Sequence, residues 1–432
     1  MRDGSPRFPG IVGYDGTVLP EVERAILAGH DMVLLGERGQ GKTRVIRSLV
    51  GLLDEWTPVI AGSELNEHPY QPLSPSSRRQ AEELGDDLPV RWLHRSLRYG
   101  EKLATPDTSV GDLIGDVDPI RVAQGRTLGD PETIHFGLVP RTNRGIFAVN
   151  ELPDLAERIQ VSLLNVLEER DIQVRGYQLR LPLDLLLVAS ANPEDYTNRG
   201  RIITPLKDRF GAEIRTHYPL ELDLELDLIR QEARLVAEVP EHVLEVVARF
   251  ARAVRESPSV DARSGVSARF AIAAAETVAA SALRRSGLLG EPMPTARIGD
   301  ATSITSTLRG KVEFESGEEG REIEVLAHLL RTATADTFRA RLAGLDLSGF
   351  TDLVAEGDIV ETGELVGAED LLRQVGTVPG LAKVLERLGF DDAPTPAQAA
   401  AGVEFALEGL HLTRRLSKAM TDEGRTLYGS RE

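Results

Sequence analysis

The first half of the chain carries short, unbroken apolar runs, and the second half carries apolar positions at helical spacing. Asp31–Leu35, Thr57–Ala61, Ile146–Val149 and Leu185–Ala189 are such runs, each bounded by turn-forming residues. Apolar side chains at successive positions, rather than alternate ones, suit strands covered on both faces of a sheet. Lys42–Leu53 has helical spacing and lies between the first two runs. Strands alternating with helices predict a parallel, doubly wound α/β sheet.

Between Gly62 and Pro140 the pattern breaks up under Pro69, Pro72, Pro75, Pro89, Pro106, Pro119 and Pro131. A plain loop of that length does not suit a compact domain, so an elaborated insertion is expected. Ile172 and Val174, then Leu179 and Leu181, alternate about Gly176 and predict a β-hairpin over Asp171–Leu183. From Glu221 onward strands are expected to vanish. Glu221–Val236, Glu241–Glu256 and Ala268–Arg285 read as helices, followed by a turn-rich stop from Ser286-Gly287 to Pro294. Further helices are expected at Arg321–Leu342 and Pro396–Ala419, with an acidic stretch between Asp352 and Asp370.

Composition narrows the function classes. The 432 residues hold 50 Lys+Arg against 68 Asp+Glu, a formal net charge of −18. Broad, non-specific binding to nucleic acid or to anionic membrane is disfavoured by that sign. Cysteine is absent. Disulfides, Cys-ligated zinc, iron–sulfur clusters and thiol nucleophiles are thereby excluded, and a cytoplasmic setting is expected. The Met1–Gly10 segment has no apolar run, so no signal peptide is expected. The longest apolar stretch, Phe270–Leu283, carries Glu276 and falls short of the ~20 residues that span a bilayer. No membrane insertion is expected.

One motif carries specific chemistry. Gly36-Glu37-Arg38-Gly39-Gln40-Gly41-Lys42-Thr43 has the pattern G-x-x-x-x-G-K-[ST]. Its glycines let the backbone curl so that successive N–H groups point at phosphate oxygens. The helix opening at Lys42 adds its positive end, Lys42 adds a point charge, and the Thr43 hydroxyl can ligate Mg²⁺. The motif follows an apolar strand and opens a helix, the order such a loop requires.

A nucleotide hydrolase also needs an acidic group at a second strand end. Gly145-Ile146-Phe147-Ala148-Val149-Asn150-Glu151 offers Asn150, which can hold Mg²⁺ through water without adding charge. Glu151 is the candidate general base. Leu185–Ala189 runs into Ser190-Ala191-Asn192-Pro193, where Asn192 could contact the terminal phosphate and place a water.

In this order the motifs resemble the AAA+ ATPases, and more narrowly the ATPase subunit of magnesium chelatase (subunit I) with its MoxR-like relatives. The resemblance rests on Phe8-Pro9-Gly10-Ile11-Val12-Gly13, the Gly36–Thr43 loop, Phe136-Gly137-Leu138 through Asn143-Arg144-Gly145, and Asn150-Glu151. It continues through Leu163–Arg170, Ala191-Asn192-Pro193 and Leu206-Lys207-Asp208-Arg209-Phe210-Gly211, covering about Phe8 to Ala280.

The resemblance implies an AAA+ α/β core over 1–218, with an insertion at 62–140 and a hairpin at 171–183. An all-helical lid would follow at 219–290 and a helical C-terminal domain at 291–432. Ile11 and Val12 would line the adenine pocket, and Arg209 would be an arginine finger reaching a neighbouring subunit's ATP, with Arg199 and Arg201 nearby. Arg269, at the start of a lid helix, would touch the γ-phosphate. The insertion at Arg121–Arg144 and the hairpin would face a central pore or a partner. ATP and Mg²⁺ are the implied ligands. A homo-oligomer, by family a hexamer, would act on a protein client or on a partner with a von Willebrand A domain.

This sequence departs from the family in having Asn150 where Asp is usual, and in the long Pro-rich block Glu64–Thr105. The leading functional expectation is a ring-forming ATPase that remodels a protein partner, with metal or cofactor insertion as one setting. A nucleic-acid motor of the same clade would share the hairpin and could use Arg175 and Arg180, but the net charge opposes it. A sigma-54-type transcription regulator would need a Gly-Ala-Phe-Thr-Gly-Ala-like loop, which this sequence lacks. A small-molecule P-loop kinase fits poorly with a helical lid. The histidines show no metal-binding spacing.

Overall fold

The structure is a computed structural model that describes residues 7–118, 120, 123, 133–169, 172–174, 177–179, 181–193, 201–261, 265–355, 358–390, 393–421 and 424–430. Arg199, Arg175, Arg180, Gly176 and most of 121–132 lie outside the described residues. The chain divides into two compact units, Met1–Tyr218 and Pro219–Glu432.

The first unit is built on a five-stranded parallel sheet. Its strands are β1 (Met32–Leu35), β4 (Tyr99–Leu103), β7 (Gly145–Asn150), β10 (Leu185–Ala191) and β11 (Ala212–Arg215), in the spatial order β11-β1-β10-β7-β4. Strand β1 lies between β11 and β10 and leads directly into the glycine loop and α2 (Lys42–Ser48). A parallel strand ends where helix N-termini gather, so the ends of β1, β7 and β10 meet at one edge.

Successive side chains of these strands bury on opposite faces. Met32 and Leu34 join Ile146, Ala148 and Val188 beneath α1 (Val18–Leu27) and α2. Val33 and Leu35 join Phe147, Val149, Leu187 and Ala189 on the other face, against Ile159, Leu163 and Val166. Those three belong to α4 (Glu157–Glu169). Both faces are apolar, which is why these strands lack a polar alternation. A fully buried side chain such as Phe147 contributes on the order of 2–3 kcal/mol by leaving water.

Two expectations for this unit change. Thr57–Ala61 is a strand, β2 (Trp56–Ile60), but it pairs antiparallel with β3 (Val90–His94) and stays out of the parallel sheet. The place beside β7 is taken instead by β4, which lies inside the Pro-rich block. That block also holds α3 (Pro75–Leu84), capped by the Ser74 hydroxyl. Two antiparallel pairs complete the unit: β5 (Gly115–Val117) with β6 (Ile134–Phe136), and β8 (Ile172–Val174) with β9 (Tyr177–Leu179). The second is the expected hairpin. Helix α5 (Thr204–Arg209) precedes β11.

The second unit is mainly helical, with α6 (Leu222–Glu232), α7 (Glu241–Glu256), α8 (Ala268–Leu289), α9 (Glu322–Leu342), α10 (Ala368–Val375) and α11 (Pro396–Leu412). One hydrophobic core runs from Leu226 to Tyr428, so residues on both sides of position 290 share it. Helix α8 does not stop at Ser286-Gly287. It runs to Leu289 and is ended by Gly290 in the left-handed conformation (φ 70°).

Strands do not vanish here. Val360–Gly363 (β12), Ser417–Met420 (β13) and Arg425–Gly429 (β14) form an antiparallel sheet in the order β12-β14-β13. The last helix accordingly ends at Leu412 rather than Ala419. Buried charge in this unit is paired. Glu225, fully buried, takes both Arg255 guanidinium branches, and Arg285 is held by Glu291 and Asp300. Among the described residues, no helix is long and apolar enough to cross a membrane.

Candidate nucleotide site

The glycine loop sits between β1 and α2 and is shaped by close contacts. A side chain on Gly36 would lie 2.0 Å from Thr216 Oγ1 and 2.2 Å from Gln40 Oε1, so only glycine fits. Gly41 has φ 76° at the N-cap of α2, a conformation glycine adopts without strain. Contacts from distant segments hold the loop in place. Thr216 Oγ1 donates to Gln40 Oε1 at 2.7 Å, Tyr14 Oη donates to the Gln40 carbonyl at 2.5 Å, and Tyr218 Oη donates to the Arg38 carbonyl at 2.8 Å. Burial pushes the Tyr14 hydroxyl up to about 12, so it stays a donor across the physiological range. None of Tyr14, Thr216 and Tyr218 was among the expected site residues. Their role depends on packing between segments far apart in sequence, and no local motif announces it.

Lys42 is buried, and its ammonium group donates to the carbonyls of Gly36 and Glu37 and to Asn192 Oδ1 at 2.7 Å. Asn192, at the end of β10, turns its amide nitrogen to Glu151 Oε2 at 2.7 Å. Lys42, Asn192 and Glu151 are thus joined in one chain of polar contacts across the ends of β1, β10 and β7. Glu151 itself has φ 56° and ψ 48°, a left-handed conformation rare for a residue with a side chain. Strain of this kind is retained when surrounding contacts over-determine it. The Glu151 amide donates to Ser190 Oγ at 3.2 Å, one such contact.

Asn150 is buried at the end of β7. Its Oδ1 accepts from Ser190 Oγ at 3.3 Å and from Thr43 Oγ1 at 3.5 Å. Its Nδ2 donates to Glu101 Oε1 at 2.6 Å. Glu101 lies on β4 and takes both the Nε and Nη2 of Arg47 at 2.8 Å, with the Tyr99 hydroxyl at 2.9 Å. The Arg47 guanidinium holds the Glu101 carboxyl below the usual carboxylate range. A hydroxyl, a carboxamide oxygen and carboxylates are hard oxygen donors, the set that suits Mg²⁺. Among the described residues, no group of three or more His, Asp or Glu forms a metal cluster.

The remaining expected residues lie as follows. Ile11 and Val12 are half-buried, and Ile11 packs on the core that includes Tyr14. Arg209 ends α5, is exposed, and donates to Glu168 Oε1 at 2.5 Å. Arg201 is exposed, with its carbonyl accepting from Gln160 Nε2. Arg269 is exposed in the first turn of α8, in the second unit. The structure therefore brings together Gly36–Thr43, Asn150, Glu151 and Asn192, and it leaves Arg209 at the surface.

The glycine-loop strand β1, the acidic end of β7 next but one to it and the Asn at the end of β10 between them match an AAA+ arrangement. In sequence, residues 127–209 match the Sigma-54 interaction domain family. The chain is 28% identical over 235 residues to a magnesium-chelatase subunit ChlI from Nostoc sp., covering 52% of this chain and 58% of that protein. It is 28% identical over 233 residues to the chloroplastic magnesium-chelatase subunit ChlI-1 of Arabidopsis thaliana, covering 52% and 51%. The chain is similar to the AAA+ ATPases of the magnesium-chelatase subunit I group over about half its length.

The match spans just over half the length of these relatives. Among solved structures, similarity extends to a complex of BchI and BchD of magnesium chelatase, at 20% identity and a TM-score of 0.37, covering 73% of this chain and 97% of that one. It extends also to the RuvB branch-migration motor of Thermotoga maritima, at 13% identity and a TM-score of 0.37, covering 96% and 91%. At the end of β7 stands Asn150-Glu151, and the carboxylate on Asn150 comes from the neighbouring strand, at Glu101.

Proposed function

We propose that this AAA+ chain binds ATP with Mg²⁺ at the Gly36–Thr43 loop, hydrolyses it, and assembles into a ring that remodels a protein partner. The observation that carries the reading is the chain of contacts from Lys42 through Asn192 to Glu151. It ties a phosphate-binding cation to a carboxylate through an amide that contacts both.

In this reading the loop amides and Lys42 hold the phosphates, while Thr43 and Asn150 hold Mg²⁺. Mg²⁺, when bound, neutralises charge on the phosphate oxygens. Glu151 accepts the proton of the attacking water, and Asn192 keeps the carboxylate oriented toward it. Arg209, exposed at the end of α5, is the residue offered to a neighbouring subunit's nucleotide, where a permanently charged, planar guanidinium suits a phosphate. The ring is proposed to be a hexamer.

The names of the similar proteins point to metal-cofactor assembly as the setting, with a client or a von Willebrand A-domain partner supplying any metal chemistry. The Sigma-54 interaction domain match favours a second reading, a transcription regulator, against which stands the lack of a Gly-Ala-Phe-Thr-Gly-Ala loop. Purifying a Glu151→Gln chain with ATP and Mg²⁺ and identifying what comes with it separates the two. A discrete protein partner is expected. Recovery of RNA polymerase with sigma-54 would replace the first reading with the second.

A further inference from the structure

The Asn150 carboxamide has two chemically different ends, and its surroundings decide which faces the phosphate loop. The ionised Glu101 carboxylate only accepts hydrogen bonds, so the group 2.6 Å from its Oε1 has to be the amide nitrogen. The hydroxyls of Ser190 and Thr43 can both donate, which places Asn150 Oδ1 on their side. An aspartate here would have two equivalent oxygens and would need no such orientation. An asparagine turned the other way would point a donor at the place where a cation binds.

Glu101 is itself fixed in position. Arg47 grips both its oxygens, and Tyr99 Oη donates to Oε2. Strand pairing sets the reach between the two side chains: β4 lies parallel to β7, with Glu101 opposite Ala148 and Leu103 opposite Asn150. Arg47 sits on α2, the helix that carries Lys42 and Thr43. The acid therefore belongs to the same rigid assembly as the phosphate loop, and it lies in a block whose Pro-rich pattern gave no sign of a site.

We propose that Glu101 is a positioning residue of the nucleotide site, holding Asn150 with its oxygen toward Thr43 so that a neutral side chain can serve in the Mg²⁺ shell. The inference rests on the nucleotide reading above. It moves the acid normally found at the end of β7 to the adjoining strand, one hydrogen bond away from the cation site.

The test measures binding of a fluorescent ATP analogue to the full chain as Mg²⁺ is varied, with no turnover required. Glu101→Ala is expected to raise the Mg²⁺ concentration for half-maximal binding about tenfold, the usual effect of losing an outer partner of a ligand. Binding without Mg²⁺ should stay within about twofold, because the loop amides and Lys42 are untouched. Glu101→Gln should recover part of the loss, since its carbonyl can still accept from Asn150. The exchange of charges is the sharper arm. Asn150→Asp alone sets two carboxylates against each other and should give no tighter Mg²⁺ dependence. Asn150→Asp with Glu101→Gln restores a donor–acceptor pair, with the carboxylate now on the cation side, and should match or exceed the unaltered chain.

Equal effects of Asn150→Asp in both backgrounds would overturn the inference, as would a Mg²⁺ dependence unmoved by Glu101→Ala. A chain that binds no nucleotide under any condition would instead overturn the nucleotide reading, and this inference with it. Loss of Mg²⁺-free binding together with a lowered melting temperature in both Glu101→Ala and Glu101→Gln would mark a purely structural role and overturn it too. The Gln variants keep the test open if alanine disturbs the fold.

Discussion

The amide nitrogen of Asn192 lies 2.7 Å from Glu151 Oε2. The other end of the same amide accepts from Lys42 Nζ at 2.7 Å. Both polar ends of Asn192 are therefore committed, one to the candidate base and one to the candidate phosphate ligand. Asn192→Ala should leave Glu151 unoriented and lower kcat for ATP about 100-fold, with a smaller effect on nucleotide affinity. Asn192→Asp should be worse, because it brings a second carboxylate onto Glu151. Steady-state ATPase assays beside a direct binding titration check both. An unchanged kcat in Asn192→Ala would remove Asn192 from the mechanism.

Arg209 makes its one described ion pair with Glu168, at the surface. An exposed pair of this kind contributes little to stability. Arg209→Ala should thus fold normally and bind nucleotide, yet lose roughly 10³-fold in turnover if its guanidinium completes a neighbour's site. Lys42→Ala should lose nucleotide binding. Mixing the two inactive chains should restore measurable ATPase activity, since some interfaces then pair an intact loop with an intact arginine. Titration of one variant against the other gives the readout, and zero activity at every ratio would refute a role across the interface.

The parts of this molecule legible in sequence are those whose chemistry is local. Gly36–Thr43 declares itself because curling backbone around phosphate requires those residues at that spacing. Asn150, Glu151 and Asn192 each follow an apolar run, and the strand order brings the ends of those runs together. What stayed hidden depended on pairing. Tyr99–Leu103 is Tyr-Gly-Glu-Lys-Leu, a half-buried edge strand without an apolar run, so its place beside β7 was missed and Glu101 with it. Thr57–Ala61 was recognised as a strand, but periodicity carries no information about its partner. The C-terminal sheet was missed for a similar reason: Ser417–Met420 is mostly exposed and carries no pattern of its own. Tyr14, Thr216 and Tyr218 grip the loop from positions that only the folded chain brings near it.

His242, on α7, is fully buried, and neither ring nitrogen has a hydrogen-bond partner. Its ring packs against Phe405, with centroids 4.7 Å apart, and against Phe390 at 5.8 Å. Burial, with a smaller contribution from the Arg341 charge, pushes the imidazole down from 6.5 to about 3. In the unfolded chain it titrates near the ordinary value. Between about pH 6.5 and 3 the unfolded state therefore binds a proton that the folded state refuses. The stability associated with the neutral ring is present above pH 6.5 and is lost as pH falls toward 3, at about 1.4 kcal/mol per pH unit. His242→Leu removes the titrating group along with two unsatisfied buried nitrogens. It should leave stability at pH 7 equal or higher and flatten its fall on acidification by about that slope. Urea unfolding of the two chains at pH 7 and pH 4.5 checks this, with the nucleotide site in the other unit serving as an internal control for folding. Parallel pH profiles would show that His242 takes its proton without unfolding the unit, and would remove it as a source of acid sensitivity.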